Sequence, residues 1–314
     1  MTWPPPNSIE TIPALEYNGK AGGFAECDDA LRTRAFGSLK RQVPVIGQGT
    51  WQMHDRGPRA KQVAAVLRLG VELGLTHIDT AEMYGEGRAE ELVADAITGL
   101  SREKLFIVSK VLPQNASYAG TIRACERSLR RLKTDYLDVY LLHWRGNHPL
   151  EATMSALERL VDDGKIRALG VSNFDVSDLQ EAQAALRVRS IACNQVLYHL
   201  RERYAERDLL PYCQAHDIAL VAYSPFGQGE FPSGRSAQGR TLAEIAARLD
   251  ATPSQVTLAF LTRQPGTFAI PKAEQEDHVR DNAAAEDLQL SAADVAAIDV
   301  AFPLGVGDGS LPTN

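Results

Sequence analysis

Two stretches, 105–111 (LFIVSKV) and 136–143 (YLDVYLLH), decide how this chain folds. Both are dense in Val, Ile and Leu, and neither alternates apolar with polar residues. Each therefore reads as a strand covered on both faces, the hallmark of a parallel sheet. Parallel neighbours need a helical crossover, and 117–132 supplies one between them, with apolar residues at helical spacing. Working outward, six more runs of the same kind appear: 43–49 (VPVIGQG), 76–80 (THIDT), 166–172 (IRALGVS), 191–197 (IACNQVL), 218–224 (IALVAYS) and 267–271 (TFAIP). Amphipathic segments at 59–73, 88–97, 150–161, 176–186 and 241–249 fall among them. Asp175, Ser177 and Asp178 offer capping side chains for the helix from 176.

The count of strands selects the architecture. Eight buried strands alternating with helices favour a closed single-domain α/β (β/α)8 TIM barrel, where six would favour an open doubly wound sheet. From Asp79 to Lys110 is 31 residues, from Lys110 to His143 is 33 and from His143 to Ser172 is 29, each about one βαβ unit. Tyr223 to Pro271 is 48, which leaves room for an extra helix before the eighth strand. No sequence self-similarity accompanies the repeat, so a solenoid is not expected. Residues 1–35, with three consecutive prolines and Gly22-Gly23, read as a loosely ordered N-terminal extension, and 36–314 as the barrel.

Composition narrows the function classes. The 314 residues are 44% hydrophobic, and 33 Lys and Arg against 40 Asp and Glu leave a net charge of −7. That balance argues against a nucleic-acid surface. No apolar run reaches the length of a membrane span, and the N-terminus lacks the pattern of a secretion signal. Cys27, Cys125, Cys193 and Cys213 are dispersed and are expected to be free thiols in a reducing cytoplasm. The expected partner is a small molecule, and the expected state a monomer or weak homo-oligomer.

Barrels of this kind carry their chemistry at the C-terminal ends of the strands. There this chain has Asp79, Lys110, His143, Ser172 with Asn173, Gln195, Tyr223 and Lys272. Seven polar positions at equivalent depth are hard to explain as independent satisfied core groups, because each buried polar group costs about 1–3 kcal/mol unless partnered. Asp79 and Lys110 sit on adjacent strands, within reach of an ion pair. Tyr84 follows Asp79 in a turn marked by Gly85 and Gly87. A neighbouring ammonium is expected to lower a phenol's pKa and tune it as a general acid. No Ser or Cys is placed as a nucleophile, and no His/carboxylate cluster suits a metal.

At these residues the chain resembles the aldo-keto reductase family. The blocks are 78–91 (IDTAEMYGEGRAEE), the Lys of VSKV, YLLHW at 140–144, GVSNF at 170–174, NQVLYH at 194–199, AYSPFGQG at 222–229, AIPKA at 269–273 and GQGTW at 47–51. They run in order over about residues 36–302, and the bacterial methylglyoxal and 2,5-diketo-gluconate reductase-like group is the nearest in pattern. The resemblance implies metal-free reduction of aldehydes or ketones with NADPH. It implies that Tyr84 donates the proton, Lys110 assists, Asp79 holds Lys110 and His143 orients the carbonyl. Ser172, Asn173 and Gln195 would hold the nicotinamide carboxamide, and Tyr223 would stack on its ring. Ser224, Pro225, Phe226 and Gly227 would wrap the pyrophosphate, with 228–240 a mobile flap.

Thr50, Ile270 and Pro271 are implied as further cofactor contacts, Lys272 as the partner of a 2′-phosphate and Asn282 as an adenine contact. Here the chain departs from the family pattern. Ala273 stands where Ser or Thr often follows the Lys, and His278 where an Arg is common; Glu274, Glu276 and Asp277 add negative charge, and Arg280 lies nearby. An imidazole is largely uncharged near neutral pH, so NADH use stays open. Trp51 and Trp144 are the expected substrate walls, and the short tail after Ala301 implies an open pocket. Two rival readings remain on the same barrel: a Schiff-base lyase or aldolase using Lys110 or Lys272, and a cofactor-sensing regulatory reductase with slow turnover.

Overall fold

The computed structural model describes residues 32–305 and 311–313. Eight strands form one parallel sheet: β3 (Gln48–Gly49), β4 (His77–Asp79), β5 (Phe106–Val111), β6 (Leu137–Leu142), β7 (Ile166–Ser172), β8 (Cys193–Leu197), β9 (Ala219–Tyr223) and β10 (Thr267–Ala269). They lie side by side in chain order, with Lys110 opposite Leu141 and Ser172 opposite Gln195. The seam between last and first strand closes through backbone bonds from Gly47 N to the Ala269 carbonyl (2.8 Å), Ala269 N to the Val45 carbonyl (2.9 Å) and Gly49 N to the Pro271 carbonyl (3.0 Å). The sheet is thus the barrel that the strand count predicts.

The helices between strands are α1 (Gly57–Glu72), α2 (Arg88–Ile97), α3 (Tyr118–Leu132), α4 (Leu150–Asp162), α5 (Val176–Ala184) and α6 (Leu209–Ala215), then α7 (Ala237–Arg248) and α8 (Pro253–Leu261), with α9 (Glu276–Ala284) and α10 (Ala292–Ala301) after β10. Helix α8 is the extra element that the 48-residue gap accommodates. Local chemistry sets several ends. Ser117 accepts from Gly120 N and caps α3, while Asp175 and Asp178 form a reciprocal capping box on α5. Ser236 caps α7 by accepting from Gly239 N, so the last four residues of the 228–240 segment are helix rather than flap.

One strand assignment needs correction. The run 43–49 is not one strand: β2 (Gln42–Pro44) pairs antiparallel with β1 (Thr33–Ala35), whereas the residues after it join the barrel, Val45 and Gly47 bonding to Ala269 at the seam and Gln48–Gly49 pairing with β4. Thr33–Ala35, expected in the N-terminal extension, therefore belong to a hairpin with β2, and Phe36 beyond them is fully buried against Phe106 and Phe268. The hydrophobicity that made 43–49 look like one strand serves both the hairpin and the barrel. The remainder of that extension, through residue 31 and including Cys27, lies outside the described residues. Cys125, Cys193 and Cys213 are free and buried. Among the described residues no helix is long and apolar enough to cross a membrane.

Candidate active site

Asp79 ends β4 opposite Val108 of β5, and Lys110, two residues further along β5 on the same face, reaches it with its side chain. Lys110 Nζ donates to Asp79 Oδ1 at 2.5 Å, to the Thr80 carbonyl at 3.0 Å and to Tyr84 Oη at 3.3 Å. Gln195 Nε2 donates to the other Asp79 oxygen at 2.7 Å. The turn carrying Tyr84 is built on left-handed backbone: Gly85 has φ +57°, and a Cβ there would come within 2.4 Å of the His54 Cβ. Buried Glu82 ties this turn to the segment after β5, accepting from Leu112 N and Asn115 Nδ2, both at 2.9 Å. Nothing in the residue pattern singled Glu82 out. His143, one residue past β6, meets the Tyr84 ring edge-on at 5.8 Å and carries Trp144 against its other side at 4.8 Å.

Burial sets the proton affinities. Desolvation is the largest single effect on the Lys110 ammonium and works against it, but Asp79 and Tyr84 together outweigh it, and Lys110 is held charged with its pKa above the usual value. Burial pushes the Asp79 carboxyl up, with Lys110 and Gln195 pulling back. Tyr84 corrects the expectation of a lowered phenol. Lys110 does pull its pKa down, yet desolvation is the larger effect and Asp79 adds to it, so the net direction is upward. The folded site therefore holds a protonated phenol at neutral pH. His143 is pushed down to about 2, first by burial and then by Lys110, and is a neutral imidazole; its Nδ1 is buried without a hydrogen-bond partner.

A cavity of about 300 Å³ opens at this rim. Asp79, Tyr84 and His143 line it, with Trp51 and Trp144 as walls. Thr50, Ser172, Asn173, Gln195, Tyr223, Ser224, Pro225, Ile270 and Lys272 line it as well. Lys110 lies beneath, reaching the cavity through Tyr84. Phe226, Gly227, Pro271, His278 and Asn282 are not among its lining: Phe226 packs edge-on against Phe231, Pro271 serves the barrel seam, and His278 and Asn282 lie on α9. Gly49, Met83 and Gln228 line the cavity without having been singled out. Each stands inside a quoted block, and Gly49 is required, since a Cβ there would meet the Ile270 carbonyl oxygen at 2.6 Å.

The donor set suits a flat, amide-bearing ring. Asn173 sits at φ +61° directly after β7, donates to the His143 carbonyl at 3.2 Å and accepts from Tyr223 Oη at 2.9 Å. Ser172 Oγ donates to the Gln195 carbonyl at 2.8 Å. Asn173 thus links the Ser172 hydroxyl to the Tyr223 phenol, and the Gln195 amide, held by Asp79, lines the same cavity, which matches the donors, acceptor and aromatic face that a nicotinamide carboxamide needs.

With this geometry in hand, the comparison with known proteins is decisive: the model of the Aldo/keto reductase family matches residues 45–301. The chain belongs to the aldo/keto reductase family. As an aldo/keto reductase it is 48% identical over 269 residues to the methylglyoxal reductase YeaE of Escherichia coli (strain K12), covering 86% of this chain and 94% of that protein. It is 36% identical over 260 residues to the glyoxal reductase of Bacillus subtilis (strain 168), covering 82% and 88%. An aldo-keto reductase from Klebsiella pneumoniae, crystallised with NADPH, superimposes with a TM-score of 0.84 at 46% identity, covering 90% of this chain and 99% of that one.

Proposed function

We propose that this aldo/keto reductase reduces small aldehydes and ketones, 2-oxoaldehydes among them, to alcohols with a reduced nicotinamide cofactor. The observation that carries the reading is the Lys110 ammonium held between Asp79 Oδ1 (2.5 Å) and Tyr84 Oη (3.3 Å) at the floor of a two-tryptophan cavity. The relatives, a methylglyoxal reductase and a glyoxal reductase, support the substrate class, and the neighbour's NADPH complex supports the cofactor. Ser172, Asn173 and Gln195 would hold the carboxamide and Tyr223 the ring face. Bound there, the cofactor supplies a hydride to the carbonyl carbon.

The protein's own residues do the rest. Neutral His143 hydrogen-bonds the carbonyl oxygen without competing as a charged acid. As the carbon gains its C–H bond, the C=O π pair moves to oxygen, and Tyr84 transfers its proton there. The phenolate left behind is stabilised by the Lys110 ammonium, which is why the couple favours the transition state more than the resting site. Solvent then reprotonates Tyr84.

A Schiff-base lyase would need a neutral amine, whereas Lys110 is held charged and Lys272 is ion-paired with Glu274 at 2.7 Å. Tyr84→Phe tests the assignment: turnover of methylglyoxal with NADPH should fall at least a hundredfold while NADPH binding holds within about twofold. Parental turnover would refute the role of Tyr84, and a slow parent that retains cofactor tightly would favour the sensor reading.

A further inference from the structure

The cavity ends at Lys272, and what holds that lysine is a carboxylate. Glu274 Oε1 receives Lys272 Nζ at 2.7 Å. Its other oxygen receives Arg59 Nη2 at 2.6 Å, and Arg59 Nε is in turn bound to Asp55 Oδ1 at 2.7 Å. Arg59 lies in the first turn of α1 and Glu274 in the segment after β10, 215 positions apart, so the tie spans the barrel seam at its mouth. The Glu274 side chain is 22% exposed against 60% for Arg59. It is fixed from both sides at the rim.

We propose that Glu274 is a specificity-determining residue for the cofactor, one that lowers discrimination against NADH by occupying the ammonium a ribose 2′-phosphate requires. The proposal rests on the nicotinamide reading above. A phosphate dianion arriving at Lys272 meets a carboxylate already seated there, and must displace it or bear its repulsion. A 2′-hydroxyl arriving at the same place meets a hydrogen-bond acceptor. Two further acids, Glu276 and Asp277, sit in the first turn of α9 just beyond, while His278 is exposed on the same helix. One like charge beside a dianion at a partly exposed rim is worth roughly tenfold in binding. Glu274 therefore trades NADPH affinity for NADH tolerance.

The bland alternative is that Arg59–Glu274–Lys272 only staples α1 to the chain after β10. Direct binding separates the two. NADPH and NADH are each titrated into the full chain, following quenching of tryptophan fluorescence. The parent should bind the two within about tenfold of each other. Glu274→Gln should tighten NADPH about tenfold and leave NADH within twofold, whereas Arg59→Ala, which cuts the staple but keeps Glu274 on Lys272, should move the ratio of the two less than threefold. An unchanged NADPH/NADH ratio in Glu274→Gln, with both cofactors still binding, overturns the proposal. So does a parent that prefers NADPH by more than a hundredfold, which keeps the test open even if the variant fails to fold. A parent that binds neither dinucleotide sinks the nicotinamide reading beneath it instead.

Discussion

Replacing Lys110 with Met separates what the buried ion pair does for stability from what it does for chemistry. The side chain is fully buried and Asp79 is 1% exposed, so removing the ammonium leaves a carboxylate with Gln195 as its remaining side-chain donor. Stripping one partner from a buried pair costs about 3–5 kcal/mol. At the 3.3 Å between Lys110 Nζ and Tyr84 Oη, and with an effective dielectric of ~20, the ammonium stabilises the phenolate by about 5 kcal/mol as an upper bound. That corresponds to a turnover loss of up to roughly five-thousandfold. The double variant Asp79→Asn/Lys110→Met removes the orphaned charge and should regain at least half of the lost stability, yet none of the turnover. Urea denaturation read by fluorescence measures the first quantity, and NADPH absorbance with saturating methylglyoxal the second. A single variant as stable as the parent, or a double variant that recovers turnover, would show that Lys110 does not act as described.

The pH dependence of stability offers two further tests. His143, held down to about 2, and His77, held down to about 3, are both neutral when folded, while an unfolded histidine titrates near 6.5. Below about 6.5 the unfolded chain binds more protons, so stability should fall with falling pH by up to about 1.4 kcal/mol per unit for each. His143→Asn should flatten the decline in denaturation midpoint between pH 6.5 and 4; an identical slope in both proteins would count against the buried neutral imidazole. Glu286 runs the other way. Burial raises it to about 8 while its Oε1 accepts from Ile46 N at 2.9 Å, so the folded state holds the extra proton and stability is lost as pH rises from about 4.5 to 8. Glu286→Gln should match the parent at pH 4.5 and exceed it by about 1–3 kcal/mol above pH 8, and equal stability there would refute the shift.

The barrel and its rim were legible in the sequence because both follow from local rules. A strand covered on two faces must be apolar along its length, and consecutive parallel strands all end at the same mouth, so Asp79, Lys110, His143, Ser172, Gln195 and Tyr223 could be assigned to one rim from their positions alone. Hydrophobicity has no such power over partner choice, which is why 43–49 reads as one strand although β2 leaves to pair with β1. Tertiary structure alone decided quantities that are sums over neighbours distant in the chain. The sign of the Tyr84 shift depends on how completely the fold excludes water, a balance between desolvation and Lys110 that no motif encodes. That Lys272 meets Glu274, and Glu274 meets Arg59 from the opposite end of the chain, follows from the closure of the seam. Order and periodicity act over a few residues, whereas charge and burial act through space, and only the closed barrel says which residues share that space.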